Sequence, residues 1–533
     1  MTFIRFTLTL SMVVVVSTVM VVAQKPPRLV VVVSFDQYRG DYPDLFARFT
    51  GSRGFARLQK EGAWFSQCFY AQANNITGPG HATLLTGCYP SRSGIVGNDF
   101  CDLRTGECVY CADDAEGMKS ASQLETETIG DLLRNRDRRS KVVGVSLKDR
   151  AGILMAGRLA TSCVWYDAKA ALWKTSGAYT TPRWLTALNS TVTTASYSGR
   201  VWKTEISEAL KPAIDTVSAE GSFPGGNSTF PHDVLTPKDP KFEASVMLSP
   251  FSITMVFDAA SIALRKERLG KDSSPDVLCI GVSTPDYVGH VFGPDSREVQ
   301  ELYVHADRRL GAFIDELDSF VGRNNYILVI TSDHGVAPIP EIVKELPRQQ
   351  GARIDAGRIR EAEIQALVDS VLTNRFGKPK VRSFVRKIAE PSIYLNDTAI
   401  AGLDRAEVLN VVVNTLRKHP GLGIVTTRDT MALGDCPDGV DEATCRYIRN
   451  SFHASRTGDI VIYPKRYWII GANTATHGTP YDYDRYVPLM MLGKGIVPQR
   501  YTDSVAPVDI APTLAKIFGL ALGPIDGSPL PLK

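Results

Sequence analysis

The run Tyr326-Ile327-Leu328-Val329-Ile330-Thr331 is apolar without alternation and ends in Ser332-Asp333-His334-Gly335. Ahead of it, Val299, Leu302, Ala306, Leu310, Phe313 and Leu317 recur at helical spacing. A strand with no polar face is buried on both sides, as in a parallel sheet. The same pattern stands at Leu29-Val30-Val31-Val32-Val33-Ser34-Phe35, followed at once by Asp36, and again at Val277-Leu278-Cys279-Ile280. Strands alternating with amphipathic helices predict an α/β fold: a doubly wound, mostly parallel central sheet with helices on both faces. Ligands in such sheets sit beyond the carboxyl ends of the strands, which is where the pattern puts Asp36 and Asp333-His334.

Between Ala337 and Ile470 the texture changes. Helical segments such as Arg405 to Lys418 alternate with short strands such as Ile393 to Leu395 and Asp459 to Tyr463. We read 337–470 as an inserted α+β cap domain. The core then spans 24–336 and 471–533, the last part holding a strand at Val487 to Leu492 and a helix at Asp509 to Phe518. A chain of 533 residues accommodates this, being about three to four domain-equivalents at roughly 150 residues each. Sixty Lys and Arg against 57 Asp and Glu leave a net charge of only +3, with no basic block. Nucleic acid is therefore not an expected partner.

Residues 1–23 read as a signal peptide: Arg5, then an uncharged Val-, Leu- and Met-rich stretch from Phe6 to Ala23. Its length also approaches that of an uncleaved membrane anchor. Either way the chain is expected to be exported, periplasmic or secreted, with no other membrane segment. Nine cysteines fit that compartment. Cys101, Cys108 and Cys111 crowd one loop and Cys436 and Cys445 bracket another, so local disulfides are expected in preference to a structural zinc site, with at least one cysteine left over. Cys279 reads as a buried thiol.

Six potential metal ligands stand at loop or strand-end positions: Asp36, Asp286, His290, Asp333, His334 and His477. Three imidazoles and three carboxylates suit two borderline cations, zinc first, because calcium and magnesium prefer oxygen shells. Taken singly, each residue has an adequate structural role as a cap or turn. The segment Asn74-Asn75-Ile76-Thr77-Gly78-Pro79-Gly80-His81-Ala82-Thr83-Leu84-Leu85-Thr86-Gly87 predicts a helix with Thr77 as N-cap, Pro79 in the first turn and Gly87 closing it. A hydroxyl there also faces free backbone N–H groups that favour a phosphoryl anion. A bound zinc would further make Thr77 a nucleophile near neutral pH. His81 is read as structural.

Together these pieces resemble the alkaline phosphatase superfamily. The resemblance rests on Asp36 after a first strand, Thr-Gly-Pro-Gly-His before Leu-Leu-Thr-Gly, and Gly-Ile-Val-Gly-Asn98. It rests also on Asp286-x-x-x-His290, Ser-Asp333-His334-Gly, His477-Gly-Thr-Pro and the Val508-Asp509-Ile510-Ala511-Pro512-Thr513-Leu514 helix. It runs from residue 29 to about 530 and is weakest over the insert. Within the superfamily the chain most resembles secreted single-chain bacterial phosphomonoesterases related to nucleotide pyrophosphatases. The resemblance implies one zinc on Asp286, His290 and His477. It implies a second on Asp36, Asp333 and His334, with Thr77 the ligand that becomes phosphorylated. Asn98, Lys148 and Arg150 match the positions that hold the non-bridging phosphate oxygens.

An Arg fork and a Lys ammonium suit the dianionic end of a monoester, whereas on their own Lys148 and Arg150 would read as a solvated loop. Lys148 also offers a fixed positive charge where a third metal would otherwise serve. The implied reaction is a double displacement on small phosphate monoesters: in-line attack by Thr77, with the departing alcohol oxygen at the zinc of Asp286, His290 and His477, then hydrolysis of the phosphothreonine. Cys88-Tyr89-Pro90-Ser91-Arg92 fits a sulfatase signature, but in that family the modified cysteine precedes the Leu-Leu-Thr-Gly helix. Here Thr77 holds that register and Cys88 follows the helix, so Cys88 is expected in a disulfide or the core. The alternatives are a phosphodiesterase or nucleotide pyrophosphatase sharing the metals and Thr77, a phosphoglycerate mutase, which the leader disfavours, and a non-catalytic zinc- or phosphate-binding exported protein. The oligomeric state is left open.

Overall fold

The computed structural model describes residues 25–210, 212–215, 219–346 and 353–532. The signal peptide read at 1–23 lies outside them. The large sheet has nine strands: β1 (Leu29–Phe35), β2 (Ala63–Phe65), β3 (Val142–Ser146), β4 (Ser162–Asp167), β5 (Leu172–Lys174), β6 (Asp276–Val282), β7 (Tyr326–Thr331), β8 (Leu489–Gly493) and β9 (Gln499–Tyr501). Their spatial order is β9-β2-β8-β7-β1-β6-β3-β4-β5. Strand β1 pairs in parallel with both β6 and β7, and the parallel run continues through β3 to β4. Pairings β7–β8, β8–β2 and β4–β5 are antiparallel. The sheet is therefore mixed and mostly parallel, as the unalternating strands predict.

The apolar runs have no polar face because each face of the sheet carries its own core. Leu29, Val31, Val33 and Phe35 pack on one side with Leu278, Ile280, Leu328 and Ile330. Val30 and Val32 pack on the other with Val277, Cys279, Ile327 and Val329. Helices α1 (Thr77–Thr86), α2 (Asp149–Ala156) and α6 (Ile510–Phe518) cover the second face. Helices α3 (Pro250–Lys266) and α5 (Arg297–Leu317) cover the first, and α4 (Thr284–Phe292) follows β6 directly.

Residues 357–470 hold a separate four-stranded antiparallel sheet, in the order Val385–Ala389, Ser392–Leu395, Ile460–Pro464 and Leu422–Thr427. Helices Glu361–Phe376 and Arg405–Leu416 share its small core, which is distinct from the other two. Disulfides join Cys101 to Cys108 and Cys436 to Cys445. Cys68, Cys88, Cys111, Cys163 and Cys279 are buried and free, so Cys88 is a core residue. Among the described residues no helix is long and apolar enough to cross a membrane.

Candidate active site

The parallel strands bring their carboxyl ends to one edge. Asp36 follows β1, Lys148 follows β3, Asp286 and His290 lie one turn apart on α4 after β6, and Asp333 and His334 follow β7. His477 reaches the same place from the loop ahead of β8. His290 Nε2 lies 3.2 Å and His477 Nε2 3.3 Å from Asp286 Oδ1. His334 Nε2 lies 3.2 Å from Asp333 Oδ2 and 4.0 Å from Asp286 Oδ1, its ring stacked on that of His477.

The hydrogen bonds behind these rings fix what they present. Nδ1 of His290, His334 and His477 each meets a backbone carbonyl, of Ala475 (2.8 Å), Gly335 (2.9 Å) and Asn75 (2.9 Å) respectively. A carbonyl only accepts, so each Nδ1 carries the proton and each Nε2 turns toward carboxylate oxygen. Lone pair against carboxylate requires a proton or a cation between them. Burial, with His334 beside it, pushes His477 down to about 3, so its Nε2 holds no proton near neutrality. Burial alone would raise the carboxyl of Asp286, but His290 and Lys148 beside it hold it well below the usual range.

A second group comprises Asp36, His81 and Asp333. All three are buried. His81 Nε2 is 3.4 Å from Asp36 Oδ1, and its Nδ1 is 3.3 Å from Asp333 Oδ2 and 2.9 Å from the Thr77 carbonyl. Neither Asp36 oxygen receives a hydrogen bond, although Lys148 Nζ stands 3.2 Å from Oδ2 off the hydrogen-bonding angle. Asp333 Oδ2 and His334 Nε2 are likewise unsatisfied. Buried carboxylate oxygens without partners are costly, and the one lysine beside them, Lys148, contacts Asp36 and Asp286 but not Asp333. Mixed imidazole and carboxylate donors fit borderline divalent ions such as zinc better than calcium or magnesium.

Thr77 is the first residue of α1, not its cap: Ile76 holds that position in extended backbone, with no side-chain capping bond. The hydroxyl is turned instead toward two cations, with Lys148 Nζ at 3.5 Å and Arg150 Nη2 at 3.3 Å from Oγ1. Lys148 Nζ also lies 2.5 Å from Asp286 Oδ2. Asn98 Oδ1 accepts the Gly78 N–H at 2.8 Å, which leaves its amide N–H groups for the cavity. Gly87 ends α1 in the left-handed conformation with its N–H on the Thr83 carbonyl. A Cβ on Gly80 would fall 2.2 Å from the Asp333 carbonyl oxygen, so this glycine allows α1 to approach the loop of Asp333 and His334. Thr77, Asn98, Lys148, Arg150, Asp286, His290 and His477 all line one cavity of about 620 Å³, whose outer wall includes Glu361, Lys387 and Glu390.

Sequence reasoning missed two residues and underrated a third. Gln37 donates its N–H to Asp333 Oδ1 (3.1 Å) and its Nε2–H to Asp286 Oδ1 (3.0 Å), bridging the two candidate ligand groups. Tyr110 stands against Arg150. His81, read as structural, sits between Asp36 and Asp333. The one available signal for Gln37 was Gly289 inside α4, a position where glycine is unfavourable without a packing reason.

Residues 30–484 match the family described as type I phosphodiesterase / nucleotide pyrophosphatase. A Myroides odoratus protein named calcium-transporting ATPase is 31% identical over 515 residues, covering 92% of each chain. Alkaline phosphatase PhoV of Synechococcus elongatus is 30% identical over 511 residues, covering 92% of this chain and 90% of its own. The crystal structure of alkaline phosphatase PafA superposes with a TM-score of 0.86 at 28% identity, covering 95% of this chain and 98% of that one. A variant of that enzyme, substituted at a threonine, an asparagine, a lysine and an arginine, gives 0.85.

Proposed function

The chain belongs to the type I phosphodiesterase / nucleotide pyrophosphatase family, and within it we propose an exported, zinc-dependent alkaline phosphatase that hydrolyses small phosphate monoesters through a phosphothreonine. A phosphatase of the alkaline phosphatase superfamily agrees with the similarity to PhoV and PafA over nearly the whole chain. We assign catalysis to Thr77 with Asn98, Lys148 and Arg150 around the phosphoryl group, and 337–470 as a cap that walls the cavity.

Asp286, His290 and His477 would hold one zinc, and Asp36, Asp333 and His334 the other. Bound zinc supplies Lewis acidity for the attacking and departing oxygens. The chain's own residues position the rest. The phosphoryl group enters with Arg150, Lys148 and the Asn98 amide on its non-ester oxygens, which aligns phosphorus with Thr77 Oγ1. The Thr77 hydroxyl gives up its proton to solvent as Oγ1 bonds to phosphorus and the ester P–O bond breaks, and the alcohol leaves with a proton taken back from solvent. Water then attacks phosphorus, the P–Oγ1 bond breaks, and inorganic phosphate departs as the Thr77 hydroxyl is restored. Positioning and charge stabilisation carry most of such a reaction.

The observation that carries monoester preference is the pair of cations beside the nucleophile, 3.3 and 3.5 Å from Thr77 Oγ1. A diester presents one negative charge there and a second organic group, so two cations would be in excess. The family's own description keeps phosphodiester hydrolysis as the competing reading. Hydrolysis of p-nitrophenyl phosphate against bis-p-nitrophenyl phosphate by the zinc-loaded chain separates them. A strong monoester preference lost in Thr77→Ala is expected, and diester preference would sink the monoesterase reading.

A further inference from the structure

Arg150 has no carboxylate partner among the described residues, and its Nε is buried without a hydrogen bond. Nη2 faces Thr77 Oγ1, and Nη1 donates to the Tyr110 hydroxyl at 3.1 Å. Tyr110 can accept this bond because its single O–H is committed elsewhere, to Asp149 Oδ1 at 2.5 Å. Asp149 Oδ1 also accepts the Arg150 backbone N–H at 2.7 Å, and Lys119 Nζ lies 3.4 Å from Oδ2 and over the Tyr110 ring. The order of donors is therefore fixed: guanidinium to phenol, phenol to carboxylate.

This arrangement has a chemical consequence. A carboxylate touching Arg150 would orient the guanidinium but cancel its charge, whereas a neutral phenol orients it and leaves the charge for the substrate. Arginine has a flexible stem, and its value for a dianion lies in presenting two N–H bonds in one plane. Tyr110 restrains that plane through Nη1, while Nη2 faces Thr77.

Tyr110 is itself held by a hairpin, strands Asp99–Asp102 and Glu107–Tyr110, in which Asp99 faces Tyr110 and Cys101 faces Cys108. The Cys101–Cys108 disulfide staples the hairpin. At its base the Cys111 N–H donates to the Asn98 carbonyl at 2.8 Å. The two ends of one short element thus fix both Asn98 and the residue that orients Arg150.

We propose that Tyr110 is a positioning residue for monoester recognition, holding the Arg150 fork on the non-ester oxygens without neutralising it. This rests on the reading of Arg150 as part of the phosphate clamp. The experiment compares wild type, Tyr110→Phe, Arg150→Ala and the double variant, each zinc-loaded, on p-nitrophenyl phosphate and bis-p-nitrophenyl phosphate. Tyr110→Phe is expected to lower kcat/KM for the monoester about tenfold, with the diester changed less than about twofold, a factor of ten corresponding to ~1.4 kcal/mol. On the Arg150→Ala background the same substitution is expected to have almost no further effect, because the two residues act as one unit. Equal losses on both substrates, or full additivity, would overturn the proposal. If Arg150→Ala spares the monoester preference, the clamp reading itself falls, and this inference with it. If Arg150→Ala abolishes that preference and Tyr110→Phe does not touch it, only the role of Tyr110 falls.

Discussion

Gln37 takes up left-handed backbone, φ 69°, one residue after Asp36. A non-glycine residue held there costs on the order of 1–3 kcal/mol and persists only where its surroundings impose it. Here the reward is visible: from that conformation its main chain reaches Asp333 and its amide reaches Asp286. A Cβ on Gly289 would lie 1.8 Å from Gln37 Oε1, so α4 is hollowed at that point to admit the side chain. Gln37→Ala is expected to weaken zinc retention by about 10–100-fold, the usual effect of losing a residue that orients metal ligands. Competition with a chromogenic chelator reads this directly, and unchanged retention would remove Gln37 from the site. Most candidate ligands were legible only together, because six Asp and His residues at strand ends and loops make a joint pattern, matched by the family resemblance, that no single cap or turn explains. Gln37 and Tyr110 were not, because their roles come from partners far away in sequence, and neither residue type advertises a site.

Individual strands were legible because burial on both faces removes every polar position, so β1, β6 and β7 appear as unbroken apolar runs. Segments between β5 and α3 left no such trace. Val201–Trp202 and His232–Asp233 form a two-residue pairing, too short for any period, and the region is fixed instead by contacts such as His232 Nε2 to Glu298 at 2.9 Å. The end of α1 at Gly87 was foreseen, but its start was expected one residue later, with Thr77 rather than Ile76 as the cap, since a threonine hydroxyl that caps and one that faces a cavity look identical in sequence. In the second sheet, Glu390 follows strand Val385–Ala389 and looks into the cavity wall. Burial, and then the nearby Glu361, push its carboxyl up to about 8. Lys387 on the same strand is engaged by Asp99 at 3.1 Å. Glu390 is therefore neutral below about pH 8 and gains a negative charge as the pH rises through that value. Facing a dianionic substrate, that charge is expected to lower kcat/KM several-fold on the alkaline side, a limb that Glu390→Gln should abolish. A pH profile of the two proteins that coincides throughout would count against it.

Across the whole molecule, the candidate ligands run from Asp36 to His477 in sequence yet follow the neighbouring central strands β6, β1 and β7 or precede β8. Anything bound by all of them ties the chain together, because an ion that binds only the folded form stabilises it by mass action, about 4 kcal/mol at a thousandfold excess over Kd. Chelation is expected to lower Tm and zinc to restore it, whereas a Tm indifferent to both would mean that the cluster holds no structural ion. The fold class was legible at this scale because the alternation of buried strands and amphipathic helices survives without knowledge of contacts. The mixed end of the sheet was not, since it depends on which distant strands become neighbours. There β2, near the start, lies between β8 and β9, near the end, with β8 also closing the edge of β7. This has a consequence for biosynthesis. A chain made from its N-terminus carries β2 for most of its synthesis with nothing to pair with, and pairings this distant in sequence form slowly. A product stopped before residue 489 lacks β8 and leaves the edge of β7 open, a surface that recruits other strands. Translation past β8 is thus written into the sheet: a copy that carries that strand seals the edge of β7, and one stopped short of it exposes an edge prone to aggregation or proteolysis.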